Sequence, residues 1–248
     1  MARSCLVYAP HLTPRLTYTF DFLLSHCFEQ PVRYTGQPQD LQSTAHIRIN
    51  YSHDAALPAD CHIPPAGLLF EAGIASARPK WYQRAARAGL FPVPIHSGSW
   101  SFDVASATFY LLSRYEEYQP FTADAHGRFP AAAGIMTQRG VLQRPLINEW
   151  IQELRLFFQK REIPLTAPKP TYRFLPTYDI DLAWAYRHRP WWRQLAALTR
   201  DSFRWDWHGL LARLQVLSGH RNDPYDTFQW LCDLHQHRQI AAVYFWLM

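Results

Sequence analysis

The sequence predicts an α/β protein of two domains, at residues 1–165 and 171–248. The first domain opens with a predicted strand, a helix and two further strands before residue 51. The last part of the chain repeats the order strand, helices, strand between residues 174 and 247. Because strands that alternate with helices usually pair in parallel, both segments predict parallel sheets with helices packed against them.

The first domain begins with a predicted β-α-β unit. Residues 5–9 are typical of a strand, and Thr13-Pro14 indicates a helix start. Threonine caps the free amide groups of a helix, and proline tolerates the first helical position. Strands are expected again at 32–34 and 47–51. No Gly-x-Gly-x-x-Gly follows the first strand, so a dinucleotide site of the usual kind is not expected.

Three helices are predicted in the rest of the first domain. Prolines divide residues 57–95 into short strands and loops, with a short helix between them at 81–88. Apolar residues at helical spacing place the other two helices at 101–118 and 146–161. Between the last two, a loop contains Asp124 and His126, whose side chains favour a turn over a metal site. At the end of the second helix, Arg114 indicates a solvent-exposed ion pair.

The composition limits the classes of partner. With 48% hydrophobic and 18% charged residues, the 248-residue chain can form a core and does not resemble a disordered protein. A net charge of +5 does not imply nucleic acid without a motif to place it. The sequence shows no signal peptide and no apolar run long enough for a membrane span. We therefore expect a cytoplasmic protein with reduced cysteines that binds neither membrane nor nucleic acid.

A proline-rich segment at 164–170 separates the two domains, because three prolines in seven residues form an extended connector. A strand at 174–178 follows it. A later helix is expected to start with Asp223 as its cap and Pro224 in its first position. A second strand is predicted at 241–247, parallel to the first, with both strands covered on two faces.

Residues 186–207 combine arginine with tryptophan. The residues concerned are Arg187, Arg189, Arg193, Arg200, Arg204, Trp191, Trp192, Trp205 and Trp207. Such a mixture can bind an anionic or sugar polymer through charge and ring stacking. Aromatic residues at helical spacing more often belong to a core, so we favour tryptophans that face inward and arginines that extend to solvent.

Asp179 and Asp181 follow the predicted strand at 174–178. Ligands of α/β proteins bind at the carboxyl ends of strands, so an acid pair at this position can take part in chemistry. Two close carboxylates repel each other unless a cation or a shared proton holds them, and divalent metals prefer carboxylate oxygen. The alternative is that Asp181 simply caps the following helix.

Two segments carry a resemblance to a known family. Thr177-Tyr178-Asp179-Ile180-Asp181, followed by helices and the aromatic strand Val243-Tyr244-Phe245-Trp246-Leu247, resembles the start of a polysaccharide deacetylase domain, carbohydrate esterase family four. Residues 109–118, with His126-Gly127-Arg128-Phe129, resemble the region that precedes this domain in a bacterial subfamily. The resemblance implies hydrolysis of N-acetyl groups on a carbohydrate. It also implies that residues 171–248 are the first two β/α units of an incomplete (β/α) barrel.

The resemblance implies roles for both aspartates. Asp179 matches the catalytic base, while Ile180 stands where the commoner motif has its metal-binding aspartate, so the metal role falls to Asp181. The family also has a His-x-x-x-His pair after the second strand, and this chain has no such pair after Asp181. The expectation is the front part of a longer protein, inactive alone. It would hold a divalent ion such as zinc only weakly and would self-associate through the exposed edge of the barrel.

Two alternatives belong to other classes. A D-x-D phosphatase of the haloacid dehalogenase type would use Asp179 as a nucleophile. That family normally has threonine or valine two residues after the second aspartate, and Ala183 at this position counts against it. The other alternative is a non-catalytic glycan-binding module that uses the arginine and tryptophan side chains of residues 186–207.

Overall fold

The computed structural model describes residues 4–74, 79–94, 100–163, 165, 171–203, 205 and 207–247. The chain divides into two compact units, Met1–Lys169 and Pro170–Met248. The division falls in the proline-rich segment 164–170, of which only residue 165 lies within the described part. Helices and strands occur in both units, so the α/β class predicted from the sequence is correct at this level.

A four-stranded parallel sheet of order β2-β1-β3-β4 forms the first layer of the first unit. Its strands are β1 (Cys5–Tyr8), β2 (Val32–Thr35), β3 (Ile47–Asn50) and β4 (Cys61–His62). Cys5 pairs with Val32 on one side and Ile47 on the other. Every residue of β1 is buried, as expected for a strand inside a parallel sheet. The predicted β-α-β opening is confirmed.

Helix α1 (Pro14–Phe20) starts as the sequence predicts. The Leu16 amide donates to Thr13 Oγ1 at 3.2 Å, and Pro14 takes the first helical position. A π-helical turn, Asp21–His26, continues the helix. Together they bury Leu16, Phe20, Leu23 and Leu24.

The predicted helix at 81–88 is wrong, because this segment forms an antiparallel hairpin. Its strands are β5 (Trp81–Arg84) and β6 (Arg87–Leu90). Ala85 has φ 51° in the turn, which no right-handed helix accommodates. Gly89 explains the close packing behind the hairpin, since a Cβ there would lie 2.7 Å from the Phe102 ring.

Three further α-helices lie in the described part of the first unit. They are α2 (Val104–Leu112), α3 (Ile135–Gln138) and α4 (Leu146–Gln159). The helix predicted at 101–118 stops early, because Arg114 adopts φ 51° and a 3₁₀ turn, Tyr115–Tyr118, follows. The helix predicted at 146–161 is confirmed. It brings Trp150, Leu154 and Phe158 into the main core, and the Trp150 indole donates to the Ala88 carbonyl at 2.8 Å.

The second unit pairs two parallel strands, β7 (Thr177–Ile180) and β8 (Val243–Trp246). Its helices are α5 (Trp191–Phe203), α6 (Trp207–Leu217) and α7 (Phe228–Arg238). The parallel pairing is as predicted. The prediction that both strands are covered on two faces is wrong, because Thr177, Asp179, Phe245 and Trp246 are exposed. No helix in the described part of the chain is long and apolar enough to cross a membrane.

The tryptophans of residues 186–207 do not face a core. Trp191 is 75% exposed and Trp205 is 76% exposed, and Trp192 and Trp207 are also exposed. The buried positions of α5 and α6 are taken by Asp201, Arg213 and Val216. The preferred interpretation from the sequence is therefore wrong for these four rings, while Arg204 lies outside the described residues.

We expect residues 1–165 to fold by themselves. Ile163 and Leu165 still pack against the core of the first unit, so a boundary after Leu165 leaves this core intact. Limited proteolysis should cleave near the connector, and the fragment should be soluble with a cooperative thermal transition. A fragment that ends at residue 140 is the control, because it lacks the buried face of α4 and should not fold. An insoluble 1–165 fragment beside a soluble full chain would contradict this boundary.

Candidate functional site at the end of β7

Strand β7 and the residue after it hold the predicted acid pair. The strand starts three residues later than predicted, because Pro176 has no amide to donate and Phe174 and Leu175 are exposed. Asp179 therefore lies inside β7, opposite Phe245, and not beyond the strand end. Asp181 follows Ile180 directly. Since side chains alternate along a strand, the Asp179 carboxylate belongs to the face opposite Tyr178.

Both carboxylates are exposed and without protein partners in the described residues. No hydrogen bond or ion pair to either is present there. The next described helix starts only at Trp191, so Asp181 is not the cap of a helix that follows it directly. The exposure of both groups leaves their oxygens accessible to a cation or a substrate.

The acid pair alone does not fit a catalytic zinc site. Such a site uses three protein ligands and one open position. Within the described part of the chain, no three His, Cys, Asp or Glu side chains lie together so that they could hold a metal ion. Asp179 and Asp181 supply oxygen ligands of the correct chemistry, and a third ligand would have to come from elsewhere. Asp124 and His126 do not provide it, because the Asp124 carboxylate accepts the His126 and Arg128 amides in the expected turn.

The opposite face of the strand pair carries a histidine between two tyrosines. The Tyr178 and Tyr244 rings stack with their centroids 5.0 Å apart. His235 of α7 is buried beside them, with Nε2 3.1 Å from the Tyr178 hydroxyl and Nδ1 3.2 Å from the Tyr244 hydroxyl. A neutral imidazole donates from one nitrogen and accepts at the other, so its tautomer decides which hydroxyl donates. Partial burial raises the pKa of Tyr244, and the neighbouring Cys232 and Tyr178 raise it further.

Asp223 holds the loop that follows Asp181. It is not the cap of α7, which starts at Phe228. Its carboxylate, only 2% exposed, accepts the amides of Ala185 and Tyr186 at 2.8 Å and that of Arg187 at 3.0 Å. Burial alone would raise the pKa of Asp223, but these hydrogen bonds outweigh it and lower the pKa to about 2. Neither this role nor that of His235 is predicted from the sequence, where the polar character of both residues is the only local signal.

We expect Asp223 to make the second unit sensitive to acid. Its folded-state pKa of about 2 lies below the ordinary value of 3.8, so the stabilisation is complete above pH 4 and is lost as the pH falls towards 2. This difference corresponds to about 2 kcal/mol in the free energy of unfolding.

The measurement is urea unfolding between these pH values for the natural chain and for Asp223→Asn. The asparagine keeps an accepting oxygen but does not titrate, so the difference between the two proteins isolates this carboxylate. Equal pH dependence in both proteins would show that Asp223 does not contribute.

A known protein family matches most of the first unit. A family described as a family of unknown function, DUF7033, matches residues 5–162. No curated protein and no solved structure is significantly similar to the chain. The match lies within the first unit and includes neither Asp179 nor Asp181, so it provides no information on the chemistry of the acid pair.

Proposed function

The chain belongs to the DUF7033 family of unknown function, and we propose that residues 171–248, which lie outside the matched segment, begin a metal-dependent polysaccharide deacetylase domain. The observation that carries the proposal is the parallel β7–β8 pair, with two accessible carboxylates at the carboxyl end of β7. This is the edge at which α/β barrels place their chemistry. The two strands are, in this proposal, the first two of the barrel.

Asp179 is the proposed general base, which takes a proton from the attacking water, and Asp181 is the proposed metal ligand. A divalent ion such as zinc, when bound, supplies the positive charge that polarises the acetyl carbonyl. The substrate is a carbohydrate that carries N-acetyl groups. In the family that the chain resembles, the two histidines of the His-x-x-x-His pair are the second and third ligands, and no such pair follows Asp181 in this chain.

The exposed apolar side chains at the end of β8 support the expectation that the chain self-associates. Phe245, Trp246 and Leu247 are all exposed. Apolar side chains beside an unpaired strand edge promote association between copies of a protein. We expect the isolated chain to self-associate through β8, which sedimentation at increasing protein concentration would measure.

The decisive experiment locates metal binding with manganese, which broadens the NMR signals of nearby nuclei. We expect weak binding with broadening centred on residues 178–182, since two carboxylates are too few for tight binding. Asp179→Asn with Asp181→Asn should abolish the effect, while the control Asp226→Asn with Asp233→Asn removes equal charge from the same unit and should not. Because exposed neighbouring carboxylates repel each other, the first double variant should keep or raise the melting temperature.

Three outcomes would contradict the proposal or its details. If the broadening is unchanged in the Asp179→Asn with Asp181→Asn variant, manganese does not bind at these carboxylates. Submicromolar zinc binding at a 1:1 ratio, lost in Asp181→Ala, would mean that the chain already holds a complete site. Hydrolysis of a phosphate ester that depends on Asp179 would favour the phosphatase.

A glycan-binding module remains the second candidate, and the exposed tryptophans favour it. Trp191 and Trp192 open α5, and the Arg193 guanidinium carbon lies 5.0 Å from the Trp192 ring centroid. Exposed rings beside a cation can stack on sugar and attract acidic groups. Binding of an acidic glycan that is lost in Trp191→Ala with Trp192→Ala, but retained without Asp179 and Asp181, would favour this candidate.

A further inference from the structure

We propose that the first unit contains a binding site for one unit of a neutral saccharide. The site is an open cavity of about 660 Å³ between the 3₁₀ turn Tyr115–Tyr118 and α3, which we call the Glu116 cavity. Among the residues that line it, those that could contact a ligand through polar groups or large rings are Glu116, Gln119, Phe121, Phe129, Gln138 and Arg139. The volume falls within the range of roughly 300–1,000 Å³ that is usual for small-molecule sites.

Two polar groups of this cavity are held in place by the backbone. Glu116 Oε2 accepts the Ile135 amide at 2.9 Å, which fixes the carboxylate at the start of α3. Its other oxygen lies beside Gly134, where an added Cβ would come within 3.2 Å. The side-chain amide of Gln138 donates through Nε2 to the Ala133 carbonyl at 3.1 Å, and this hydrogen bond orients the carboxamide plane. Fixed carboxylate and carboxamide groups are well suited to hydrogen bonds with the hydroxyls of a sugar.

Aromatic rings form another part of the lining. Phe121 and Phe129 lie edge to face with their centroids 5.1 Å apart, and Phe121 is exposed. The C–H face of a pyranose ring is apolar and can cover such a ring, while its hydroxyls point to the polar groups. Prolines 79, 120 and 130 add further rigid apolar surface to the same lining.

The charges of the lining select a neutral ligand. Among the side chains that line the cavity, Glu116 is the acid and Arg139 is the base, so their formal charges cancel. A phosphate or a polyanion would need an excess of cations, and a fatty ligand would offer no donor to the acceptor positions of the Glu116 carboxylate that the Ile135 amide does not use. A saccharide satisfies both the polar groups and the rings. All of these residues belong to the first unit, so the inference does not depend on the chemistry proposed for Asp179.

The test uses the 248-residue chain and two probes, the β-1,4-linked trisaccharides of N-acetylglucosamine and of glucose. Ligand-observed saturation-transfer NMR and calorimetry should detect binding of at least one of them at millimolar concentration. Phe121→Ala should weaken it roughly five- to tenfold, as expected for a lost ring contact. Glu116→Gln keeps an acceptor for the Ile135 amide, and should also weaken binding because it removes the charged acceptor.

Matched controls come from the same turn. Tyr118→Ala removes an exposed aromatic side chain that does not line the cavity, and Glu117→Gln neutralises the carboxylate that pairs with Arg114. Both should bind like the natural chain. Asp179→Asn with Asp181→Asn tests whether the acid pair of the second unit also contributes to binding of the probe. No binding of either probe would overturn the inference, and so would binding that Phe121→Ala and Glu116→Gln leave unchanged. Binding lost only with the two aspartates would assign the saccharide to the second unit instead.

Discussion

Asp103→Ala is expected to lower the free energy of unfolding of the first unit by about 4 kcal/mol, because a buried acceptor with several donors is removed. Asp103 is 0% exposed and caps α2. Its Oδ1 accepts the amides of Ala105 and Ser106, at 3.1 and 2.9 Å. Its Oδ2 accepts the Tyr51 hydroxyl at 2.8 Å. The loss of the cap alone costs roughly 0.5–2 kcal/mol.

The remaining cost comes from donors that lose their acceptor inside the core. The Ala66 amide and the Ser106 hydroxyl also donate to Asp103 Oδ2, at 2.8 and 2.6 Å. Each buried donor left unsatisfied costs roughly 1–3 kcal/mol, partly recovered when the structure relaxes. Burial raises the pKa of Asp103 although these hydrogen bonds oppose the shift. The uncharged Asp103→Asn should therefore be milder than Asp103→Ala.

The measurement is urea denaturation of the whole chain. Asp124→Ala is the control, since Asp124 also accepts backbone amides but lies in an exposed turn where water can replace it. The control should have a much smaller effect. Equal effects of Asp103→Ala and Asp124→Ala would contradict the role assigned to burial.

Asp201→Ala should destabilise the second unit by about 3–5 kcal/mol, because it leaves a buried cation without its partner. Arg213 is 5% exposed, and its Nη2 lies 2.9 Å from Asp201 Oδ2. Burial alone would raise the pKa of Asp201, but hydrogen bonds from Arg213 and Arg200 lower it. Gln194 accepts from Arg213 at 3.3 Å but carries no charge to replace the carboxylate.

Two variants separate the effect of burial from that of charge. Arg200→Ala removes the exposed cation of the same cluster, at 3.2 Å from Asp201, and should have little effect. Asp201→Leu with Arg213→Met removes both buried charges and should recover most of the lost stability. If Asp201→Ala were no more harmful than Arg200→Ala in urea denaturation, the buried pair would not support the second unit.

Sequence patterns predicted the elements whose signals are local. Thr13-Pro14 marks the start of α1 correctly, and the apolar spacing of α4 coincides with its buried face. The hairpin at β5 and β6 was missed because its turn at Ala85 has none of the residues that favour positive φ. Its close packing depends on Gly89 beneath Phe102, a contact that no local pattern reveals.

The candidate site was predictable only in its chemistry. The sequence predicted an acid pair after a strand with a parallel partner strand, whereas the structure has Asp179 within β7 and Asp181 directly after it. Whether a tryptophan on a helix faces a core depends on the layer packed against it. The spacing of aromatic residues shows that they share one face of a helix, but it does not show whether another element packs against that face. The prediction that the four tryptophans of residues 186–207 face a core was therefore wrong. Asp223 and His235 act on residues far away in the sequence, beyond the reach of local patterns.

The tryptophans differ in burial between the two units, so their intrinsic fluorescence can distinguish the units. Trp100 and Trp150 are buried in the first unit. The second unit exposes Trp191, Trp192, Trp205, Trp207, Trp230 and Trp246. Buried indoles emit at shorter wavelength than hydrated ones, so the blue edge of the emission spectrum comes mainly from Trp100 and Trp150 of the first unit. The red emission is already present in the native protein. A shift of the blue edge during denaturation therefore follows the first unit without any attached dye.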